Sequence, residues 1–196
     1  MIAEATRRSA VADYAERFTK LHETTGGSIS IRELPFLTQI NLRVDAGDAA
    51  VLQQLSDSLG FSLPLTPNTV TGADNRRALW LGPNEWLIVC PADQAGSLDR
   101  ALRNGLAGAF SSIVDVSANR TVLEIRGVRA HDLLAHGVPI DLDQRSFGAN
   151  RCAQTLVAKA QVIIERRGDE PAFHVYVRSS FASYVADWLL DAAGTL

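Results

Sequence analysis

Four histidines, two cysteines and scattered serines and carboxylates are the groups in this 196-residue chain from which acid–base, nucleophilic or metal chemistry would be built. His131 and His136 are five apart, off the i,i+4 spacing that sets two metal ligands on one helix face, and Gly137 ends a helix beside them. They read as surface or helix-end histidines, and His22 and His174 stand alone. No Gly-x-Ser-x-Gly turn presents a serine nucleophile. Ser179 and Ser180 precede an expected helix, where N-capping accounts for them. A pair such as Asp115 with Glu124 would have to be assembled in space, and carboxylates at strand ends are usually solvated. Cys90 and Cys152 lack neighbouring cysteines and metal-ligand spacing, so both read as reduced core cysteines. No residue is assigned a catalytic, cofactor-binding or metal role.

Two segments stand out. Asp115-Val-Ser-Ala-Asn-Arg-Thr121 is polar between two apolar strands. One reading is a tight turn in which Asn119 takes a left-handed conformation and Asp115 or Ser117 bonds the local backbone. The other makes Asn119 and Arg120 a partner or small-anion contact, with arginine supplying a charge-assisted fork. In Leu79-Trp80-Leu81-Gly82-Pro83-Asn84-Glu85-Trp86-Leu87, the two tryptophans meet across a hairpin and fill a core, with cofactor stacking as the alternative.

The elements that position these residues follow from periodicity. Residues 36–44 alternate as a strand with one buried face. Asp45 and Asp48 offer caps to a helix carrying Val51, Leu52, Leu55 and Leu59, which Gly60 closes. Residues 61–75 hold too many breakers for an element and are expected to be a surface excursion. Strands at 78–81 and 86–90, a helix through Leu98, Leu102 and Leu106, and a strand at 112–116 complete a β-α-β-β-α-β order, the split βαβ or ferredoxin-like arrangement. The order then restarts with a strand at 121–125, a short helix through Leu133 and Leu134, strands at 154–157, 162–165 and 173–177, and a helix over 181–193. The expectation is an α+β fold of two duplicated ferredoxin-like halves: residues 1–30 as a mobile or partner-docking arm, 31–117 as the first half and 118–196 as the second.

Composition narrows the function further. A net charge of −3 disfavours general nucleic-acid or anionic-membrane binding, which needs a dense positive field. Lys20 and Lys159 are the only lysines among 19 basic residues. That bias reads either as the codon usage of a GC-rich genome or as arginine's suitability for protein interfaces. Charges throughout residues 1–18 exclude the apolar core of a secretory signal, and no stretch reaches the roughly 18–20 apolar residues of a membrane span. A cytoplasmic protein is expected. No Gly-x-Gly-x-x-Gly or Gly-x4-Gly-Lys follows a strand, which disfavours a nucleotide-binding sheet.

Taken in order, Trp80-Leu-Gly-Pro-Asn-Glu-Trp-Leu87, the 115–121 block, Gly127-Val-Arg-Ala-His131, Gly137-Val-Pro-Ile-Asp-Leu142, Arg151-Cys-Ala-Gln-Thr-Leu156 and Tyr176-Val-Arg-Ser-Ser-Phe181 with Trp188 resemble the gamma subunits of heterotetrameric sarcosine oxidases. The resemblance runs from residue 36 to 196. It implies a relative of the folate-binding aminomethyltransferase fold without catalytic residues of its own. It also implies alpha, beta and delta partner subunits that hold FAD, FMN, NAD, zinc and tetrahydrofolate. The complex would demethylate sarcosine oxidatively to glycine, produce hydrogen peroxide, and pass the one-carbon unit to tetrahydrofolate or release formaldehyde. Asn119, Arg120, Arg129, Arg151 and Arg178 are the expected partner contacts. The alternative is a free-standing tetrahydrofolate-binding, aminomethyltransferase-like protein, for which this length is short.

Overall fold

The computed structural model describes residues 7–73, 75–168 and 170–196. A 3-10 turn at Ala12–Tyr14 leads into α1 (Ala15–Thr24) and then β1 (Ser30–Leu34). Next come β2 (Thr38–Val44), α2 (Ala49–Leu59), β3 (Val70–Ala73), β4 (Arg76–Gly82), β5 (Glu85–Cys90), α3 (Ala95–Gly105) and β6 (Ser111–Asp115). The order repeats with β7 (Arg120–Arg126), α4 (Ala130–Ala135), β8 (Cys152–Val157), β9 (Ala160–Arg166), β10 (Ala172–Arg178) and α5 (Ala182–Ala193).

Local chemistry sets these boundaries. Asp48 accepts from the main-chain N–H groups of Ala50 and Val51 at the start of α2, and Gly60 takes the left-handed conformation (φ 84°) that closes it. Such a cap contributes about 1 kcal/mol. Trp80 faces Trp86 across the β4–β5 hairpin, and the fully buried Trp86 indole donates to the Pro64 carbonyl (2.8 Å). At Gly127 (φ 113°) the chain passes so close to Ser28 that an added Cβ would lie 2.2 Å from its carbonyl oxygen.

All strand pairs are antiparallel, in two five-stranded sheets ordered β3-β4-β5-β2-β6 and β8-β9-β10-β7-β1. Written this way the two sheets have the same plan: a split βαβ core with one added edge strand. The duplicated α+β fold expected from the sequence is the fold observed. The second copy is permuted, because its last strand is supplied by β1 from the start of the chain. Boundaries at 31 and 118 follow chain order, whereas hydrogen bonding assigns β1 to the second sheet.

Two further differences have physical causes. Residues 70–73, expected in an excursion, form edge strand β3, because Val70 drops into the space between the sheets and its neighbours pair with β4. Residues 7–30 of the expected arm are packed: Val11, Phe18 and Leu21 are buried against Ile31, Leu123 and α5. Residues 1–6 of that arm lie outside the described residues.

Helices α2 and α3 cover the outer face of the first sheet, and α1, α4 and α5 that of the second. Face to face, Val70, Leu79, Leu87 and Val89 of the first sheet meet Val122, Cys152, Ile163 and Tyr176 of the second. At about 1.5–3 kcal/mol for each large apolar side chain fully buried, this seam is a major cohesive term between the halves. No described helix is long and apolar enough to cross a membrane.

Candidate functional site

Alternation along β7 points Val122 into the inter-sheet space, and with it Arg120 and Glu124, two residues to either side. The same reasoning on β10 sends Arg178 and His174 inward beside Tyr176, and on β9 sends Glu165 inward beside Ile163. The inner face of the second sheet therefore carries an apolar middle flanked by polar groups at both ends.

At one end the polar groups are enclosed and paired. Glu165, about 1% exposed, accepts from Arg77 of the opposite sheet (3.2 Å), from Arg167 (2.9 Å) and from the Tyr176 hydroxyl (2.7 Å). His174 lies between two carboxylates, Nε2 at 3.4 Å from Glu124 and Nδ1 at 3.7 Å from Glu165. Glu124 is also held by Arg32 from β1 and by Arg126 (3.6 Å). Burial pushes Glu165 above the usual carboxylate range and raises Tyr176 far above its ordinary value. Burial, with Arg77 nearby, lowers His174 to about 4, so it is neutral near pH 7. For Glu124 burial acts upward, but Arg32, Arg126 and His174 outweigh it and the net shift is downward. These groups tie sheet to sheet. Tyr176 donates to Glu165 and His174 Nε2 meets Glu124, while His174 Nδ1 is buried without a hydrogen bond.

At the other end lie Asn119, Arg120 and Arg178. The 115–121 segment is the tight turn of the first reading: Asp115 accepts from the Ser117 N–H (2.9 Å), and Ser117 Oγ accepts from the Gln39 N–H (2.9 Å). Asn119 does not take a positive φ; instead its carbonyl accepts from the Ser179 N–H (3.0 Å). Ser179 does not cap α5 as expected. Its hydroxyl donates to the Ala118 carbonyl (3.1 Å), binding this turn to the end of β10. Arg120 and Arg178 are direct cross-strand partners, and both line a cavity of about 360 Å³ with Gln154, Thr155, Gln161 and Ile163.

The other two expected contacts are elsewhere. Arg151 lies at the opposite end of the second sheet, bridged to Thr69, with its Nε buried and unbonded. Arg129 packs beside α5 and donates to the Leu196 main-chain oxygen (2.5 Å). Asp115 and Glu124 do not pair: one closes a turn, the other is buried with Arg32. His136 Nδ1 sits 2.8 Å from the Asp132 carbonyl, and His131 Nδ1 3.3 Å from the Asp132 carboxylate. Cys90 and Cys152 are free and buried in different clusters. The enclosed network was missed in the sequence. Its signal was a polar residue at an inward position two places from an apolar one: Glu124 after Val122, Glu165 after Ile163, His174 before Tyr176.

Comparison with known proteins gives this geometry a context. A family model described as "Sarcosine oxidase, gamma subunit family" matches residues 43–195. The chain is 35% identical over 187 residues to a sarcosine oxidase subunit gamma from Arthrobacter sp., spanning 95% of this chain and 89% of that one. It is 32% identical over 189 residues to one from Corynebacterium sp. strain P-1, spanning 96% and 90%. Its fold matches a chain of the heterotetrameric sarcosine oxidase from Corynebacterium sp. U-96 in complex with pyrrole 2-carboxylate, with a TM-score of 0.86 at 30% identity over 96% of this chain and 95% of that one. The glycine cleavage system aminomethyltransferase T from Bartonella henselae shares the fold alone, with a TM-score of 0.67 at 17% identity over 87% of this chain and 48% of that one. Both sequence and fold agree across nearly the whole length, and the chain belongs to the sarcosine oxidase gamma subunit family.

Proposed function

We propose that the chain is the non-catalytic gamma subunit of a heterotetrameric sarcosine oxidase, with alpha, beta and delta subunits as its partners. The observation that carries this reading is the end-to-end match to a chain of a heterotetrameric sarcosine oxidase, with 96% of one and 95% of the other superposed. The interior supports it physically. Glu165, His174 and Tyr176, the groups best suited to proton transfer, are sealed between the sheets, Tyr176 donating to Glu165 and His174 lying between Glu165 and Glu124.

In this reading FAD, FMN, NAD, zinc and tetrahydrofolate are held by the partner subunits. Those subunits also carry out the demethylation of sarcosine to glycine, with hydrogen peroxide produced and the one-carbon unit passed to tetrahydrofolate or released as formaldehyde. The complex works in the cytoplasm. This chain contributes surface: the fully exposed Phe110, the exposed Val128, and the arginines expected as contacts, Arg120, Arg129, Arg151 and Arg178, with Asn119. A partner that covers Phe110 would bury its ring in the way the apolar centre of a stable interface does.

Co-expression with the three other subunits of the same host tests the reading. The tagged chain is expected to bring them down in equimolar amounts, and the complex lacking it is expected to assemble poorly. A chain that stays alone, or one that binds tetrahydrofolate at micromolar concentration by itself, overturns the assignment in favour of a free-standing folate protein.

A further inference from the structure

We propose that Arg120 and Arg178 form a binding site for one organic carboxylate at the open end of the sheet sandwich. The two side chains come from directly opposed residues of β7 and β10 and line the same cavity. Like charges directly opposed across a ladder are destabilising, so this placement has a cost that an anion would remove. Arg120 is half-buried, and both its burial and the neighbouring Arg178 disfavour its cation.

Among the described residues, neither guanidinium has a hydrogen bond or an ion pair. Many of the other arginines are matched: Arg77 and Arg167 to Glu165, Arg32 and Arg126 to Glu124, Arg43 to Glu85. Glu85 is the carboxylate whose field reaches Arg120, but its oxygens accept from Arg43 (2.6 Å) and Asn41 (2.7 Å). It is committed elsewhere.

Chemistry narrows the ligand. Two planar guanidinium groups lining one cavity supply N–H donors for both oxygens of a carboxylate. Glu85 nearby opposes a second negative charge, which favours a monoanion over a phosphate dianion. Gln161 and Thr155 add neutral polar groups, while Leu156 and Ile163 form an apolar wall for a carbon body. The volume, about 360 Å³, suits a small acid or one acidic side chain.

The test follows the arginine Nε resonances of the full chain by NMR at low ionic strength, with sodium benzoate as the probe. Saturable shifts are expected at Arg120 and Arg178. Affinity should fall at least about tenfold in Arg178→Gln, the equivalent of one charge-assisted hydrogen bond, and be unchanged in Arg100→Gln on the exposed side of α3. Arg120→Lys should keep part of the binding without the bidentate geometry. Absence of saturation, equal shifts with sodium chloride at matched ionic strength, or tighter binding of inorganic phosphate overturns the proposal.

Two further arms identify the source of the carboxylate. Benzoate excluded from the assembled complex, with assembly weakened by Arg178→Gln, places the acid on another subunit. Undiminished benzoate binding by the complex makes it a free small molecule. The site does not depend on the subunit reading: a wild-type chain that binds benzoate but joins no complex sinks that reading alone.

Discussion

The two polar ends of the inter-sheet space lie at opposite ends of the same strands, β7 and β10, yet they are in opposite states. At the enclosed end each carboxylate has cations from neighbouring strands, and Arg77 of the first sheet reaches Glu165 of the second. At the open end Arg120 and Arg178 face each other with no carboxylate bonded to either among the described residues. Enclosure makes the difference. Charges buried in low dielectric attract strongly but lose hydration, so they persist only when paired; half-exposed cations keep enough water to wait for a partner. The enclosed end fixes how the two halves sit against each other, and the open end is available for recognition.

The comparison breaks most sharply at Arg77. Arg77→Ala leaves Glu165 buried with less than its full set of partners, and a loss of about 3–5 kcal/mol in urea unfolding is expected. Replacing both partners by apolar residues, Arg77→Met with Glu165→Leu, should recover most of that loss. A single-variant loss below about 1 kcal/mol would put this end in the class of exposed ion pairs and erase the contrast.

Proton linkage gives the next largest effect. His174 binds a proton in the unfolded chain near its ordinary 6.5 but in the folded protein only at about 4. Between those values the unfolded state holds more protons, so the stability present above pH 6.5 declines as pH falls toward about 4. The gap corresponds to a decline on the order of 3 kcal/mol. Glu124, shifted downward, adds to the loss at the acid end, while Glu165, shifted upward, opposes it. Urea midpoints from about pH 7.5 to about pH 4.5 should slope in the wild type and flatten in His174→Gln; parallel slopes would place the titration elsewhere.

Tyr176→Phe probes the same end more gently. It removes the hydroxyl that donates to Glu165 (2.7 Å) and leaves a buried carboxylate with one hydrogen bond fewer. About 1–3 kcal/mol should be lost, measured in the same unfolding series. A neutral result would mean that water replaces the hydroxyl, so the end is not sealed.

Much of the fold was legible because its signals are local. The β2 alternation, the Asp48 and Gly60 caps on α2 and the tryptophan pair across β4–β5 each involve residues a few positions apart. The permutation was not legible, because nothing near β1 says whether it pairs with β6 or β7; that depends on Ile31 and Phe18 sharing a core with α5 at the far end of the chain. The enclosed network was hidden for the same reason. Glu165, Arg77 and Glu124 look like solvated strand charges until two sheets stack over them. Of the expected contact residues, only Asn119, Arg120 and Arg178 were brought together, since β7 and β10, distant in sequence, are neighbours in the sheet.

The smallest effect is expected at the open end, and it is the one that gives the contrast its meaning. Arg178 is exposed and makes no bond that its loss would orphan, so Arg178→Gln should change stability by no more than about 0.5 kcal/mol. Any change should be a gain, because a cation opposite Arg120 has been removed, and it should fade as added salt screens the repulsion over roughly 10 Å. Unfolding at low and high salt beside Arg77→Ala makes the comparison direct. The same arginine-to-neutral change costs several kcal/mol where the guanidinium closes a buried pair, and almost nothing where it stands beside another cation. A loss above about 1 kcal/mol in Arg178→Gln would reveal a structural bond at this end, and the pair would then belong to the scaffold and not to a binding surface.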